Sequence, residues 1–255
     1  MAVYTGTSLT DLTRVGCRGL YSYDPLTFVA QAGTTYLFQV GTNAPGEVTF
    51  RLDVAPNPSA EFSFYPFDPS VFDTVQFSNY SGDPAGVGIS AYAWDFGDGT
   101  MSTEAWPTHR YAADGDYTVR LTVSTPDGRT ASISHVVRVR THDVSIVRLN
   151  APATARVGQT ITVHVYVQNT RYPETARVTL SKSTPTGFVE VGSTTQSVPV
   201  RTTGQTTRFS FTYTVTADDL ALGKLTFRAA VSLTEHRDAL PADNELISGP
   251  VRITS

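Results

Sequence analysis

Cysteine and lysine are almost absent from this 255-residue chain. The single cysteine, Cys17, excludes an internal disulfide; it is either an idle thiol or the partner of a cysteine outside this chain. Lysine occurs only at Lys182 and Lys224, and charged residues make up 16% of the sequence, against about 25% in average proteins. With a net charge of −4 and no basic patch, the composition argues against nucleic acid as the main partner.

Long apolar runs and catalytic signatures are lacking too. No run approaches the roughly 18 residues that span a bilayer, so we expect no membrane insertion. No N-terminal signal segment is visible either, and if the protein is secreted we expect its signal to lie outside this chain. The sequence contains no Gly-x-Ser-x-Gly elbow, His-Glu-x-x-His pair, phosphate-binding loop or cysteine cluster, and its five histidines are scattered. We therefore predict that the chain is not an enzyme and needs no cofactor.

What the sequence does contain is apolar alternation with a period of two. It runs through Asp116–Ser124, Gln159–Asn169, Phe209–Val215 and Leu225–Leu233. Such alternation predicts strands with one buried and one solvated face, hence an all-β chain, with one short helical turn over Thr216–Leu222. Short linkers at 55–59 and 140–143 divide the chain into modules 1–55, 59–140 and 143–255, which we expect to form a rod.

The middle module carries the most informative motif. The strand Ile89–Phe96 runs into Gly97-Asp98-Gly99, whose glycines supply the positive φ of a tight hairpin. The order of elements resembles the PKD domain over residues 59–140. The matching residues are Trp94, Asp95, Gly97, Asp98, Gly99, His109, Tyr111, Gly115 and Tyr117. The resemblance implies an immunoglobulin-like sandwich in a secreted protein, serving as spacer, protein contact or carbohydrate-associated accessory.

The physical role of these motif residues is structural. Trp94 should face the core, and short carboxylates beside glycines, as at Asp95 and Asp98, accept backbone N–H groups and cap turns. We expect His109 to form a hydrogen bond inside the fold. Two carboxylates near a tryptophan are also reminiscent of a glycosidase pair, but the hairpin explains both.

A calcium site is the one metal site that the PKD resemblance suggests. Some PKD domains bind calcium through an acidic loop before the tryptophan strand, which here is 81–86 and contains Asp83. The second acid of that pattern is replaced by Ala85, whereas calcium requires six to eight oxygen ligands. Asp83 is thus the only candidate metal ligand that we take from this loop.

The third module, 143–255, resembles the CARDB family of bacterial cell-adhesion-related, immunoglobulin-like domains. The resemblance rests on the Gly158-Gln159-Thr160 entry, on Asn169 ending a strand, and on Asp243-Asn244 before the last strand, although Arg171-Tyr172-Pro173 replaces the family's small residue. We expect Asp243 and Asn244 to brace a turn, a metal or adhesive role being the alternative. His164 should lie at the surface, opposite the valine stripe.

The first segment, 1–55, resembles the C-terminal half of a jelly-roll-like pre-peptidase C-terminal domain, most closely at Ala32–Tyr36. Further strand-like pieces are Val3–Gly6, Leu9–Leu12 and Val48–Leu52. So short a segment buries little surface alone. We expect the chain to be a piece of a longer protein; the alternative is self-association through this half-domain, by pairing its strand edges with another copy.

The combined expectation is tandem immunoglobulin-like β-sandwiches, PKD-type and then CARDB-like, preceded by a partial or small β-sandwich. Three functions follow from it: an extracellular or cell-surface binding, adhesion or spacer region; the accessory region of a secreted hydrolase; or a structural subunit of a surface layer or filament. The partner would be a protein or a carbohydrate. For sugar stacking the candidates are Tyr65, Phe67, Tyr80, Tyr92 and Trp106; we expect most to pack within strands, and Trp106, in a loop, is the strongest.

Overall fold

The computed structural model describes residues 1–8, 10–19, 26–31, 33–41, 49, 51–202 and 204–255. It is almost entirely β, which confirms the predicted all-β class of tandem immunoglobulin-like sandwiches. The chain divides into two compact units. The first comprises Met1–Phe67, Asp73–Tyr111 and Gly115–Arg138; the second comprises Asp68–Phe72, Ala112–Asp114 and Val139–Ser255. No helix among the described residues has the length and apolarity needed to cross a membrane.

The N-terminal part of the first unit is a three-stranded antiparallel sheet. Its strands are β1 (Ala2–Thr5), β2 (Thr13–Cys17) and β3 (Tyr36–Gln39), in the order β2-β1-β3. Val3 is the one fully buried apolar side chain among the described residues of 1–55. Of the pieces predicted from sequence, Leu9, Ala32, Val48 and Phe50 lie outside the described residues.

The rest of the first unit consists of two facing sheets. The smaller sheet has the order β4-β5-β8 and the larger the order β10-β9-β6-β7. Their bounds are β4 Phe62–Tyr65, β5 Val75–Asn79, β6 Ala91–Asp95, β7 Met101–Ser102, β8 Thr108–His109, β9 Gly115–Ser124 and β10 Thr130–Val139. Aromatic rings fill the space between the sheets: Trp94 of β6 lies 5.1 Å from Phe62 and 5.6 Å from Phe77 between ring centroids. Alternate residues of each strand therefore point into one shared core.

The second unit contains three sheets around a core dominated by valine. Their orders are β11-β13-β16, β12-β20-β17 and β15-β14-β18-β19. Their bounds are β11 Ser145–Asn150, β12 Thr154–Arg156, β13 Thr160–Gln168, β14 Glu174–Thr184, β15 Gly187–Val198, β16 Thr207–Thr214, β17 Lys224–Leu225, β18 Phe227–Leu233, β19 Glu245–Ile247 and β20 Val251–Thr254. In β13, Ile161, Val163, Val165 and Val167 are all buried, which is the stripe that alternation predicts.

The helix α1 (Ala217–Leu222) lies at the predicted helical turn and is held by a buried carboxylate. Thr216 and Asp219 form a reciprocal capping box at its start. The Asp219 carboxylate also accepts hydrogen bonds from Lys182 Nζ at 2.7 Å and from the Tyr213 hydroxyl at 2.6 Å. Burial would raise the pKa of Asp219, but these hydrogen bonds outweigh it and lower the pKa. The helix is thereby fixed to β14 and β16.

Candidate functional site

The turn between β6 and β7 is capped by its own aspartates. The Asp95 carboxylate accepts the backbone N–H of Gly97 at 2.9 Å. Asp98 accepts both the backbone N–H of Thr100, at 3.0 Å, and its hydroxyl, at 2.6 Å. Gly97 and Gly99 have φ of +80° and +89°, the left-handed region that other residues avoid. Both carboxylates thus act in forming the turn.

His109 braces β8 against this turn. Its Nε2 lies 2.7 Å from Asp98 Oδ2 and 3.3 Å from Thr100 Oγ1. Its ring stacks on Phe96 at 4.3 Å and meets Tyr111 edge-on at 4.7 Å. Burial would raise the pKa of Asp98, but the hydrogen bonds from Thr100 and His109 outweigh it, so that the pKa is lowered. The imidazole therefore acts as a packed structural side chain.

The remaining motif residues fill the interior. Trp94 is buried, and its indole N–H donates to the Glu104 carbonyl at 2.9 Å. Tyr111 is also buried, which raises the pKa of its hydroxyl, and its ring stacks on Tyr117 at 4.2 Å. Gly115 opens β9, where an added Cβ would lie 3.3 Å from the Tyr117 ring. Together these residues supply packing and offer no exposed reactive group.

Asp83 is fully engaged in an ion pair. Its two carboxylate oxygens lie 2.7 and 3.1 Å from the guanidinium nitrogens of Arg129, which also binds Asp127 at 2.8 Å. The carboxylate further accepts three backbone N–H groups of its own loop, from Ala85, Val87 and Gly88. Arg129 holds the pKa of Asp83 far below its usual range. A calcium ion at this carboxylate would have to displace the guanidinium.

The outer face of the β4-β5-β8 sheet carries aromatic side chains. Register places Tyr65 of β4 opposite Gln76 of β5, and Gln76 opposite Thr108 of β8. The Phe77 N–H donates to the Pro107 carbonyl at 3.0 Å, which continues the β5–β8 pairing by one residue. Trp106 lies in the bend just before this pairing. Because side chains alternate between faces, Tyr65, Gln76 and Thr108 belong to the outer face, opposite the buried Phe77.

We define the aromatic face as Tyr65, Tyr80 and Trp106, whose exposed fractions are 69%, 65% and 66%. Two small side chains, Ser63 and Ser78, are paired on the same sheet face as Tyr65.

The exposure of these rings differs from the sequence expectation that most would be packed within strands. Phe67 is exposed too, with its ring centroid 6.2 Å from that of Tyr65, whereas Tyr92 is half-buried. The physical reason is that Phe62 and Phe77 already fill the inner face of this sheet, so the aromatic residues at alternate positions are left on the outside.

A family model, that of the PKD domain, matches residues 57–141. Residues 57–141 are a PKD domain. A microbial collagenase of Vibrio alginolyticus is 44% identical over 68 residues, which are 26% of this chain and 8% of that protein. The pre-pro-metalloprotease PrtV of Vibrio cholerae is 41% identical over 68 residues, 27% of this chain and 7% of that protein. The chain thus matches less than a tenth of the length of these curated relatives.

Isolated PKD domains of known structure are similar as well. The PKD1 domain of Vibrio anguillarum Epp is 35% identical, with 34% of this chain and 96% of that domain covered and a TM-score of 0.31. The PKD1 domain of Vibrio cholerae PrtV is also 35% identical, with 34% of this chain and 100% of that domain covered and a TM-score of 0.31. The motif hairpin and the aromatic face both lie within the PKD domain.

Outside the PKD domain, the structure brings together two histidines that the sequence analysis had regarded as scattered. His142 and His236 stack with ring centroids 3.7 Å apart and an interplanar angle of 6°. Both contact Glu174, whose side chain is only 2% exposed. No local motif signals this cluster, because its members are separated by 32 and 62 residues along the chain.

The predicted turn residues near the C-terminus lie in a short 3₁₀ turn, Pro241–Asp243. The Asn244 N–H donates to the Pro241 carbonyl at 3.4 Å, and its carbonyl accepts from Val231 at 2.9 Å, so Asn244 links this turn to β18. Burial and the nearby Asp238 raise the pKa of Asp243. These contacts favour the bracing role over a metal role.

Two further predicted residues lie at the surface. His164 is half-buried on β13, with its Nδ1 3.0 Å from the Ser210 hydroxyl on β16. Cys17 is exposed at the end of β2, with a free thiol.

Proposed function

We propose that this chain is a non-catalytic, extracellular accessory region of a secreted bacterial protease, in which the PKD domain contacts the substrate matrix through its aromatic face. The relatives that share the PKD domain are named as collagenases and a metalloprotease, which favours the accessory reading over a free-standing adhesin. The packed roles of Asp95, Asp98 and His109 support the absence of catalysis at the motif. The CARDB-like nature of 143–255 remains part of this proposal.

The observation that carries the proposal is the exposure of three large aromatic side chains of the PKD domain, Trp106, Tyr80 and Tyr65. Exposed aromatic residues are enriched at the centres of binding surfaces, because they bury a large area at a small cost in conformational entropy. The surrounding side chains, Ser63, Ser78, Gln76 and Thr108, are uncharged. An exposed aromatic surface with mostly uncharged neighbours suits an extended polymer, and we take a fibrous matrix protein as the ligand.

The test is co-sedimentation of the full chain with insoluble collagen fibrils. We expect Trp106→Ala to weaken binding about tenfold or more, since it removes the largest exposed ring. Met101→Ala is the matched control, because Met101 is at least as exposed, at 77%, but belongs to the sheet on the other side of the core. Wild-type chain that stays in solution, or equal binding by the Trp106→Ala variant, would overturn the proposal.

A glycan array with the same two variants separates a carbohydrate ligand from a protein ligand. If the wild-type chain binds an array sugar but not fibrils, and Trp106→Ala loses the sugar binding, the ligand of the aromatic face is a polysaccharide. The absence of any array signal would remove the sugar hypothesis.

Self-association through 1–55 is a second candidate, favoured by a specific observation. The described part of this segment is a three-stranded sheet whose β2 and β3 form its two edges, and only Val3 is buried there. Edge strands of this kind pair with other chains. Light scattering of the purified chain tests it: a concentration-dependent dimer or filament supports self-association, and a monodisperse monomer contradicts it.

A further inference from the structure

Three side chains from separate segments of the second unit converge on one point. His142 precedes β11, Glu174 opens β14, and His236 follows β18. His142 Nδ1 lies 2.5 Å from Glu174 Oε1, and His236 Nδ1 lies 3.2 Å from Glu174 Oε2. Each carboxylate oxygen therefore contacts one imidazole nitrogen. One potential ligand atom from each of the three residues lies within 4.8 Å of the other two. We name these residues the His–Glu–His cluster.

Backbone hydrogen bonds hold the segments of this cluster in place. The Ala239 N–H donates to the His142 carbonyl at 2.8 Å, which ties the segment after His236 to that before β11. The Thr234 N–H and hydroxyl both donate to the Thr175 carbonyl at 3.0 Å, which ties the end of β18 to the start of β14. The segments that carry His142 and His236 are thus attached by backbone hydrogen bonds to each other and to the start of β14.

The charge balance of the cluster points to a cation. The Glu174 side chain is 2% exposed, and a buried carboxylate is costly without a positive partner. Its ion-pair partners within the described part of the chain are the two histidines, each of which is positive only when it carries two protons. Two such cations stacked 3.7 Å apart would repel each other. A single divalent cation would neutralise the carboxylate and leave both imidazoles uncharged.

We propose that the His–Glu–His cluster binds a divalent transition-metal ion, with Zn²⁺ as the best match. Imidazole nitrogen and carboxylate oxygen are typical zinc ligands, at about 2.0–2.2 Å, whereas Ca²⁺ and Mg²⁺ prefer sets made entirely of oxygen. Tetrahedral ligands at that distance lie about 3.4 Å from one another, close to the present His236–Glu174 separation of 3.2 Å. His142 Nδ1 faces the other carboxylate oxygen, Oε1, at 2.5 Å, and its ring must turn out of the stack with His236 for both nitrogens to face one ion.

The set provides three protein ligands and leaves a fourth position for water. The His236 side chain is 42% exposed and that of His142 is 17% exposed, so an ion can enter from the solvent on their side. Because the ligands come from three segments that lie far apart in sequence, the ion would cross-link these segments within the second unit. This role is independent of the aromatic face of the PKD domain.

The test uses the full chain, stripped with a chelator and titrated with ZnCl₂ by calorimetry. We expect one equivalent of zinc to bind with a micromolar Kd and to raise the melting temperature by about 5 °C at a large excess over Kd. Ca²⁺ and Mg²⁺ at the same concentration should produce no shift. The half-exposed His236 allows His236→Asn to remain folded, and this variant should bind zinc about tenfold or more weakly. His164→Asn, in the same unit, is the control and should bind like wild type.

Cobalt supplies a readout that does not depend on stability. Co²⁺ in the wild-type chain should give the visible absorption bands of a tetrahedral nitrogen–oxygen site, and these should be absent from His236→Asn and from Glu174→Gln. The proposal is overturned if the wild-type chain shows neither zinc heat nor cobalt bands. It is equally overturned if His164→Asn loses binding as much as His236→Asn does, since the ion would then be held elsewhere.

Discussion

Gly97 occupies a position where the backbone leaves no room for a side chain. Besides its φ of +80°, an added Cβ would lie 2.7 Å from the Thr118 carbonyl oxygen and 2.9 Å from its nitrogen. Gly99, two residues on, has a similar φ of +89° but nothing within 4 Å of an added Cβ. Comparing substitutions at these two glycines therefore distinguishes the cost of a left-handed backbone conformation from the cost of a steric clash.

We predict that Gly97→Ala lowers the free energy of unfolding of the PKD domain by about 3 kcal/mol and Gly99→Ala by about 1 kcal/mol. The first adds a backbone clash to the cost of the left-handed conformation, and the second adds only that cost. Urea unfolding of both variants provides the measurement. Equal losses would show that the approach to Thr118 is unimportant.

Asp83 makes the stability of the first unit depend on pH at the acid end. Arg129 holds the pKa of Asp83 far below its ordinary value of 3.8, so the folded state favours the charged carboxylate. A depressed folded pKa contributes stability above the unfolded pKa, and this contribution is lost as the pH falls towards the folded pKa.

We therefore expect Asp83→Asn to be less stable than wild type at pH 7, and the difference to shrink progressively below about pH 4. Urea unfolding between pH 7 and pH 2 measures it, with Glu104→Gln, an exposed change in the same unit, as the control. A difference that stays constant over this range would rule out the ion pair as its source.

Helix α1 is an element held by one buried carboxylate. Asp219 accepts from Lys182, Tyr213 and Thr216, whereas the adjacent Asp218 is exposed on the same helix. We predict that Asp219→Asn costs about 3 kcal/mol, because it leaves the Lys182 ammonium without its counter-charge, and that Asp218→Asn costs less than about 0.5 kcal/mol. Calorimetric melting of both variants checks this, and similar costs would contradict it.

Elements whose apolar residues alternate cleanly are those that the sequence predicts best. Alternation over Gln159–Asn169 predicts β13, and the Gly97-Asp98-Gly99 signal predicts the hairpin after β6. The long pair β14 and β15 was not predicted, because serine, threonine and glycine interrupt its alternation. The His–Glu–His cluster was also missed, since it exists only once β14 pairs with β18.

The aromatic face was predicted only in part from the sequence. The sequence indicates Trp106 as an exposed loop residue, but the outward position of Tyr65 follows from the register of β4 and β5. Register depends on which face is buried, and that is set by Phe62 and Phe77 packing against Trp94 from the other sheet. A single strand read alone does not contain this information.

At the scale of the whole molecule, buried apolar side chains are distributed very unevenly. The described part of 1–55 contributes only Val3 to the buried core, whereas the second unit contributes a large cluster of valine, leucine and phenylalanine. Regions with few buried contacts open at low free energy. We predict that trypsin, under native conditions, cleaves first at Arg14, Arg18 or Arg51. Mass spectrometry of the early products should find the remainder of the chain intact, and early cleavage within 143–255 would contradict the prediction.

The placement of the two tryptophans has a spectroscopic consequence. Trp94 is 1% exposed and Trp106 is 66% exposed, and the chain has no others. Iodide should quench the red-shifted emission of Trp106 while sparing the blue-shifted emission of Trp94. In one unlabelled sample, the emission of Trp106 can then report ligand contact and the emission of Trp94 can report unfolding of the domain. Because both tryptophans lie in the PKD domain, the intrinsic tryptophan fluorescence follows the unfolding of that domain. Unfolding of residues 143–255 does not change this fluorescence directly.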